Sequence, residues 1–283
     1  MGSTGASTTG RLAWIAIAAA LGASLVASGC EAPRRKPAPR VVRSVRPSTP
    51  PPLSPSYVPW NEQTVESRLV EFGARSRWRW RPYVERAGVA WPPPSVEFVV
   101  FKRERRLDVY AGPSPFTLAL VRSFEITAAS GGPGPKLREG DRQVPEGIYA
   151  LDKLNPKSAF HVSLHVAYPN EFDELMAERD RRRDLGGQIM IHGGDQSIGC
   201  VAVGDEAAED LFTIAAESGV ENVAVMIVPR DFRRTGESEP LPGQPPWVRT
   251  LYEDLDRRLA ELPVAAPSRP TTIRRTSPEL SAR

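Results

Sequence analysis

The stretch "GQIMIHGGDQSIGCV", residues 187–201, holds one of the three histidines and one of the two cysteines in a chain of 283 residues. Its apolar start, "GQIMIH", predicts a buried strand that ends at His192. Cys200 leads into a second apolar run over 201–203. The seven residues between them include Gly193, Gly194 and Gly199, so the chain can fold back and bring thiol and imidazole together. An imidazole that takes the proton of a thiol makes it a nucleophile. Gly193 is expected beside the substrate, because a glycine has no Cβ to hold a substrate off the backbone. The N–H groups of Gly199 and Cys200 are expected to face a developing oxyanion. A third group should orient the imidazole, and the candidates are a backbone carbonyl within 193–199, Ser197 and Asp195. On composition alone the stretch reads equally well as a satisfied core histidine and a small buried thiol. One Cys and one His do not complete a metal site. His161 and His165 alternate on one predicted strand face, where packing or hydrogen bonding is the expected role.

Working outward, the sequence alternates in the manner of strands. "SVEFVVFKRERRLDVYAG" reads as a hairpin, with strands over 96–101 and 107–110 and a charged turn between them. "FTLALVRSFEIT" gives a third strand, and "IYALDKL" and "AFHVSLHVAY" two more beyond a long Gly- and Pro-rich loop. "DEAAEDLFTIAAESG" predicts a helix from Asp205 to Gly219 that turns Ala208, Leu211, Phe212 and Ala215 inward. "NVAVMIVP" is the last strand. The expected fold is therefore mostly β, of the α+β class, over residues 95–235, with a helix packed on it.

Helical flanks are expected on both sides, over 61–94 and within a loop and helix at 236–262. Val65, Leu69 and Phe72 share one face of a first helix, with Asn61 as its cap. Trp78, Trp80, Tyr83 and Val84 form a second apolar surface. With Trp91 these tryptophans suit either a sugar-stacking platform or packing against a neighbouring element, and packing is favoured. Trp247, Leu251, Leu255 and Leu259 line up at a spacing of four in the last helix. Residues 263–283 are expected to be disordered.

The beginning of the chain reads as an export signal over 1–29. Arg11 precedes an apolar run too short for a comfortable membrane span. The run ends in Ala27-Ser28-Gly29-Cys30, which resembles a bacterial lipobox with Cys30 as the lipidated first mature residue. Acyl chains on Cys30 would hold the protein to a membrane, and Cys200 would then be a lone thiol in an oxidising compartment. Glu31, rather than Asp, points to the outer membrane, so the expected location is periplasmic and lipid-anchored. Residues 30–60, dense in Pro and Arg, predict an extended tether of about 90 Å at full stretch. A net charge of only +3 gives no nucleic-acid footprint.

With its context the opening stretch resembles the L,D-transpeptidase (YkuD-type) catalytic domain, in particular the YafK-like branch of murein L,D-transpeptidases and amidases. The matching residues are His192-Gly193 and Gly199-Cys200. Upstream, "EGDRQVPEGIY" runs from Glu139 to Tyr149, and further matches are Leu154-Asn155-Pro156, Tyr168-Pro169-Asn170 and Asp173. The resemblance implies a β-sandwich or barrel-like domain, peptidoglycan stem peptides as substrate and no cofactor. It implies Cys200 as nucleophile, His192 as base, Ser197 as the motif serine and an oxyanion hole around Gly199 and Cys200. Many family members carry Arg two residues after the Cys, where this chain has Ala202. Because stem peptides carry carboxylates, Lys136, Arg138 and Arg142 are candidate substrate-binding residues. Glu146 and Asp141 are expected to be structural. The activity expected is amide hydrolysis at the L-centre of diaminopimelate, including release of peptidoglycan-attached protein. The alternatives are cross-linking or protein attachment by the same chemistry, and a non-catalytic peptidoglycan-binding lipoprotein. A redox-sensing thiol is disfavoured, since no resolving cysteine exists.

Overall fold

Strand β1, Ser95–Phe101, is buried along its whole length and sets the plan of the molecule. Its side chains alternate between two cores. Val96, Phe98 and Val100 enter one and Val99 and Phe101 the other. A strand covered on both faces reads as a nearly continuous apolar run, as this one does. Its one carboxylate, Glu97, is 2% exposed. Burial pushes its pKa up, and the Arg258 guanidinium opposes that as its hydrogen-bonded partner.

The computed structural model describes residues 49–52, 58–236 and 238–264. The export signal, Cys30, most of the tether and the tail beyond 264 lie outside them. After β1 follow β2 (Arg106–Ser114), β3 (Thr117–Glu125), β4 (Ala128–Ala129), β5 (Gly147–Ser158), β6 (His161–Val166), β7 (Ile189–His192), β8 (Val201–Ala202) and β9 (Val223–Val228). Among the described residues they form one mixed sheet in the order β3-β2-β1-β9-β5-β6-β7-β8-β4. β3 and β4 stand at opposite ends of that order, yet only Ile126 and Thr127 separate them in the chain. The end of one edge strand therefore lies close to the start of the other, in a mixed sheet of the α+β class that was expected.

Helices cover both faces. Helix α1 is α-helical over Val65–Arg68, wound wider over Leu69–Gly73, and α-helical again over Ala74–Ala87. Thr64 caps it with a reciprocal Thr64–Ser67 capping box. Asn61, the cap expected from the sequence, lies in the preceding short turn at Trp60–Glu62. Helix α2, Glu171–Arg179, was not anticipated; Asn170 and Asp173 form its capping box. Helix α3, Asp205–Ser218, and helix α4, Val248–Ala260, lie where the apolar spacing put them.

Both flanks belong to the cores of the sheet. Phe72, Trp80 and Val84 of α1 share a cluster with Leu211 and Phe212 of α3. Trp247, Leu251 and Leu255 join Val99 and Phe101 on the other face. The Trp80 indole donates to the Asp210 carbonyl at 2.9 Å, and Trp91 packs on it at 6.0 Å between rings. These two tryptophans serve packing, as expected.

Glu146 ties the long loop over 130–146 to the rest. It is fully buried. One carboxylate oxygen accepts from Lys102 Nζ at 3.0 Å and from the Gly134 N–H at 2.8 Å. The other accepts from the Tyr252 hydroxyl of α4 at 2.8 Å. Removing one member of a buried ion pair strands the other charge. Glu146→Ala should therefore cost about 3–5 kcal/mol, read as a lowered urea midpoint; a loss below about 1 kcal/mol, the range of a surface pair, would show that the hub is not needed.

Candidate active site

β7 and β8 run parallel, with Ile191 opposite Val201 and His192 opposite Ala202. Ile191 and Val201 point into the core. By the two-residue alternation of strands, His192 and Cys200, which immediately precedes β8, emerge together on the other face. The turn expected over 193–199 thus delivers the two side chains to one side of the sheet.

The imidazole is held from behind. His192 Nδ1 lies 2.6 Å from the Gly193 carbonyl, which can only accept, so Nδ1 carries the proton and Nε2 keeps its lone pair. Of the candidate orienting groups, the backbone carbonyl is the one used. The ring also packs against Phe160, with centroids 4.6 Å apart. The thiol donates to the Gln188 carbonyl at 3.6 Å rather than to the imidazole. Burial pushes the Cys200 thiol pKa up, opposed by the Met190 N–H and the charge of Lys136. Burial pushes the His192 pKa down, opposed by the bond to Gly193. Both shifts favour the neutral forms, thiol and imidazole.

The loop between them is fixed by its polar groups. Ser197 Oγ donates to the Cys200 carbonyl at 2.6 Å and accepts from the Ser130 N–H at 3.1 Å. Ser197 therefore positions the Cys200 backbone and does not touch the imidazole. The Gly199 N–H donates to Ser130 Oγ at 2.5 Å, so it is committed and is not the free oxyanion donor expected of it. The N–H of Cys200 has no acceptor among the described residues and remains a donor. Gly199 has φ +99, which a side chain would disfavour.

Two candidate substrate contacts are corrected. Gly193 is buried and its N–H faces the carbonyls of Phe160 at 3.1 Å and Val162 at 3.3 Å, leaving no donor for a substrate. A Cβ there would lie 2.4 Å from Asp205 Oδ1 and 2.7 Å from the Phe160 carbonyl, so the glycine serves close packing. Lys136 is 6% exposed, and its ammonium donates to Asp141 at 2.7 Å and to the Arg138 carbonyl at 2.8 Å. It pins the loop and acts on the thiol only through its field. Arg138 and Arg142 are exposed, and their guanidinium groups have no partner among the described residues. Asp141 also accepts the N–H groups of Leu137, Arg138 and Gln143, so it is structural as expected. His161 and His165 are hydrogen-bonded, to Glu209 and Asp152 respectively. Among the described residues no three His, Cys, Asp or Glu side chains are placed to hold a metal ion. Ser130 and Phe160 escaped the sequence reading, because each acts through contacts distant in sequence.

Residues 95–227 match the model of the L,D-transpeptidase catalytic domain, YkuD. Over 141 residues the chain is 36% identical to YafK of Escherichia coli K12, which itself bears a provisional name as an L,D-transpeptidase. That match covers 48% of this chain and 54% of YafK, so the chain spans about half the length of the curated relatives it matches. Among solved structures, the helical cell shape determining protein Pgp2 of Campylobacter jejuni aligns with TM-score 0.39 and 23% identity over 48% of each chain. L,D-transpeptidase 1 of Mycobacterium tuberculosis aligns with TM-score 0.28 and 11% identity, covering 47% of this chain and 62% of that one.

A neutral resting pair has a chemical signature. Alkylation of Cys200 by iodoacetamide should rise with pH through a midpoint above the usual thiol value of about 8.5. A midpoint below about 7 would mean that a thiolate–imidazolium pair is already present at rest.

Proposed function

We propose that residues 95–227, which match the model of the L,D-transpeptidase catalytic domain, make the chain a cysteine-dependent acyltransferase of peptidoglycan stem peptides whose main reaction is amide hydrolysis. The observation that supports this reading is that His192 ends β7 while Cys200 immediately precedes the parallel β8, with no partner for the imidazole Nε2 among the described residues.

The reaction runs in two acyl steps. As Sγ of Cys200 attacks the amide carbonyl on the L-centre of diaminopimelate, His192 Nε2 takes the thiol proton. The carbonyl oxygen becomes an oxyanion and receives the Cys200 N–H. The C–N bond then breaks, and the imidazolium returns its proton to the departing amine. This leaves a thioester on Cys200. A water attacks it, giving one proton to His192 as the C–S bond breaks, and the proton passes back to the sulfur. The products are a free carboxyl group and the restored thiol. Capture by an amine instead of water would form a new cross-link through the same states.

A groove of about 470 Å³ supports an anionic substrate. Pro135, Leu137, Arg138, Asp141, Gln143, Arg182 and Arg183 line it; the Asp141 carboxylate is paired with Lys136, and Arg182 also donates to Asp180 and to the Leu137 carbonyl. One residue of this lining, Gln143, also neighbours the cysteine loop, since its carbonyl would lie 3.7 Å from a Cβ placed on Gly199. Ala202, two residues after the cysteine, is fully buried, so on this reading the cations that meet a stem-peptide carboxylate are the arginines of this groove.

The test is to incubate the full-length chain with purified muropeptides and with peptidoglycan bearing bound protein, and to read products by mass. Gain of one water at a diaminopimelate amide is expected from the wild type. Cys200→Ala should abolish turnover, and His192→Ala should slow it by about 10²–10⁴-fold. New cross-links instead of added water would replace hydrolysis by transpeptidation, and no product from the wild type on either substrate would favour a peptidoglycan-binding role.

A further inference from the structure

The turn that joins β5 to β6 carries the ring that packs on His192, and a residue far upstream holds that turn. Ser158 pairs with His161 across it. His161 has φ +72, in the left-handed region that residues with a side chain rarely adopt. Such a conformation persists only where its surroundings impose it.

The surroundings here are Arg68. It lies on α1, outside residues 95–227, directly before the widened turn at Leu69–Gly73. Its side chain is buried, and Nη2 donates to the His161 carbonyl at 3.1 Å and to His161 Nδ1 at 2.9 Å. With Nδ1 accepting, Nε2 carries the proton and donates to Glu209 at 3.1 Å. The guanidinium is itself fixed by Glu71 at 2.6 Å and lies 5.3 Å from the centre of the Phe72 ring. His161 is thus gripped on both ring nitrogens and on its carbonyl.

The grip passes to the active site in two further contacts. The Phe160 carbonyl accepts the Gly193 N–H at 3.1 Å, and the Phe160 ring covers His192 at 4.6 Å. The other side of Gly193, its carbonyl, accepts the His192 Nδ1 proton. One residue therefore receives the turn on its N–H and holds the imidazole on its C=O. We infer that Arg68 is a positioning residue for the His192 imidazole, acting through His161, Phe160 and Gly193, so that the N-terminal helix completes the active site.

The inference rests on His192 being the base, and its test separates the two. Arg68→Ala should lower kcat by tenfold or more while KM stays within twofold. The His192 imidazole titration, followed by NMR, should move up toward its usual value as the ring loses its cover, and the acid limb of the rate profile should move with it. Millimolar guanidinium should restore both. Phe160→Ala removes the stacked ring at a 45% exposed position and should reproduce the titration shift; it carries the test if Arg68→Ala fails to fold, as judged by near-ultraviolet circular dichroism. Arg81→Ala, an exposed pair on the same helix, should change neither readout. A folded Arg68→Ala chain with unaltered kcat and titration would overturn the inference, as would a loss of rate that guanidinium does not restore. If the wild type turns over no stem peptide, the proposed function fails, and the NMR titration still decides the role of Arg68.

Discussion

The parallel pairing of β7 with β8 is the constraint on which the site depends. Two adjacent parallel strands need a connection that returns the chain to the same end, and here it is only the short loop over 193–200. The return is achieved by spending the loop's backbone polar groups. Gly193 is held by Phe160, Gly194 by Asp205, Gly199 by Ser130, and the Cys200 carbonyl by Ser197. Among the described residues neither the N–H of Cys200 nor the lone pair of His192 Nε2 has a partner, and these are two groups an acyl transfer requires.

The same burial that secures this geometry holds reactivity back. Desolvation moves the thiol up and the imidazole down, which opposes charge separation in the pair. A neutral pair is also less exposed to oxidation than a standing thiolate. The field of Lys136, itself locked to Asp141, acts in the opposite sense on the thiol. The loop over 130–146 therefore serves the site twice. It brings Ser130 and Gln143 against the cysteine loop, and its buried hub at Glu146 anchors that arrangement to Lys102, just beyond β1, and to α4.

Much of this was legible in the chain. The apolar run over 96–101 marked the first strand of a hairpin, and the spacing of His192 and Cys200 marked the strand-turn-strand that joins them; that the first strand is central and covered on both faces is seen only in the structure. The structural roles of Glu146 and Asp141 followed from their place in a Gly- and Pro-rich loop that needed tying down. Other features could not be read. Helix α2 begins with Asn170 and Asp173, a capping signal masked by a sequence of mostly charged residues with little apolar period. Lys136 looked like a surface cation, but it is buried: Asp141 and the Arg138 carbonyl take its ammonium, and its own carbonyl meets the Tyr168 hydroxyl, 32 positions away. The contacts of Ser130 with Gly199 and of Arg68 with His161 join residues 69 and 93 positions apart, and nothing local to either residue marks them.

Trapping the acylated protein tests the central claim that Cys200 receives the acyl group with His192 as its base. The wild-type chain, mixed with stem peptide and quenched in acid within one turnover, should gain the mass of the acyl part of the peptide. Proteolysis should place that mass on the fragment containing Cys200. Substrate that binds and turns over with no covalent mass, or with the mass on another residue, would contradict the account.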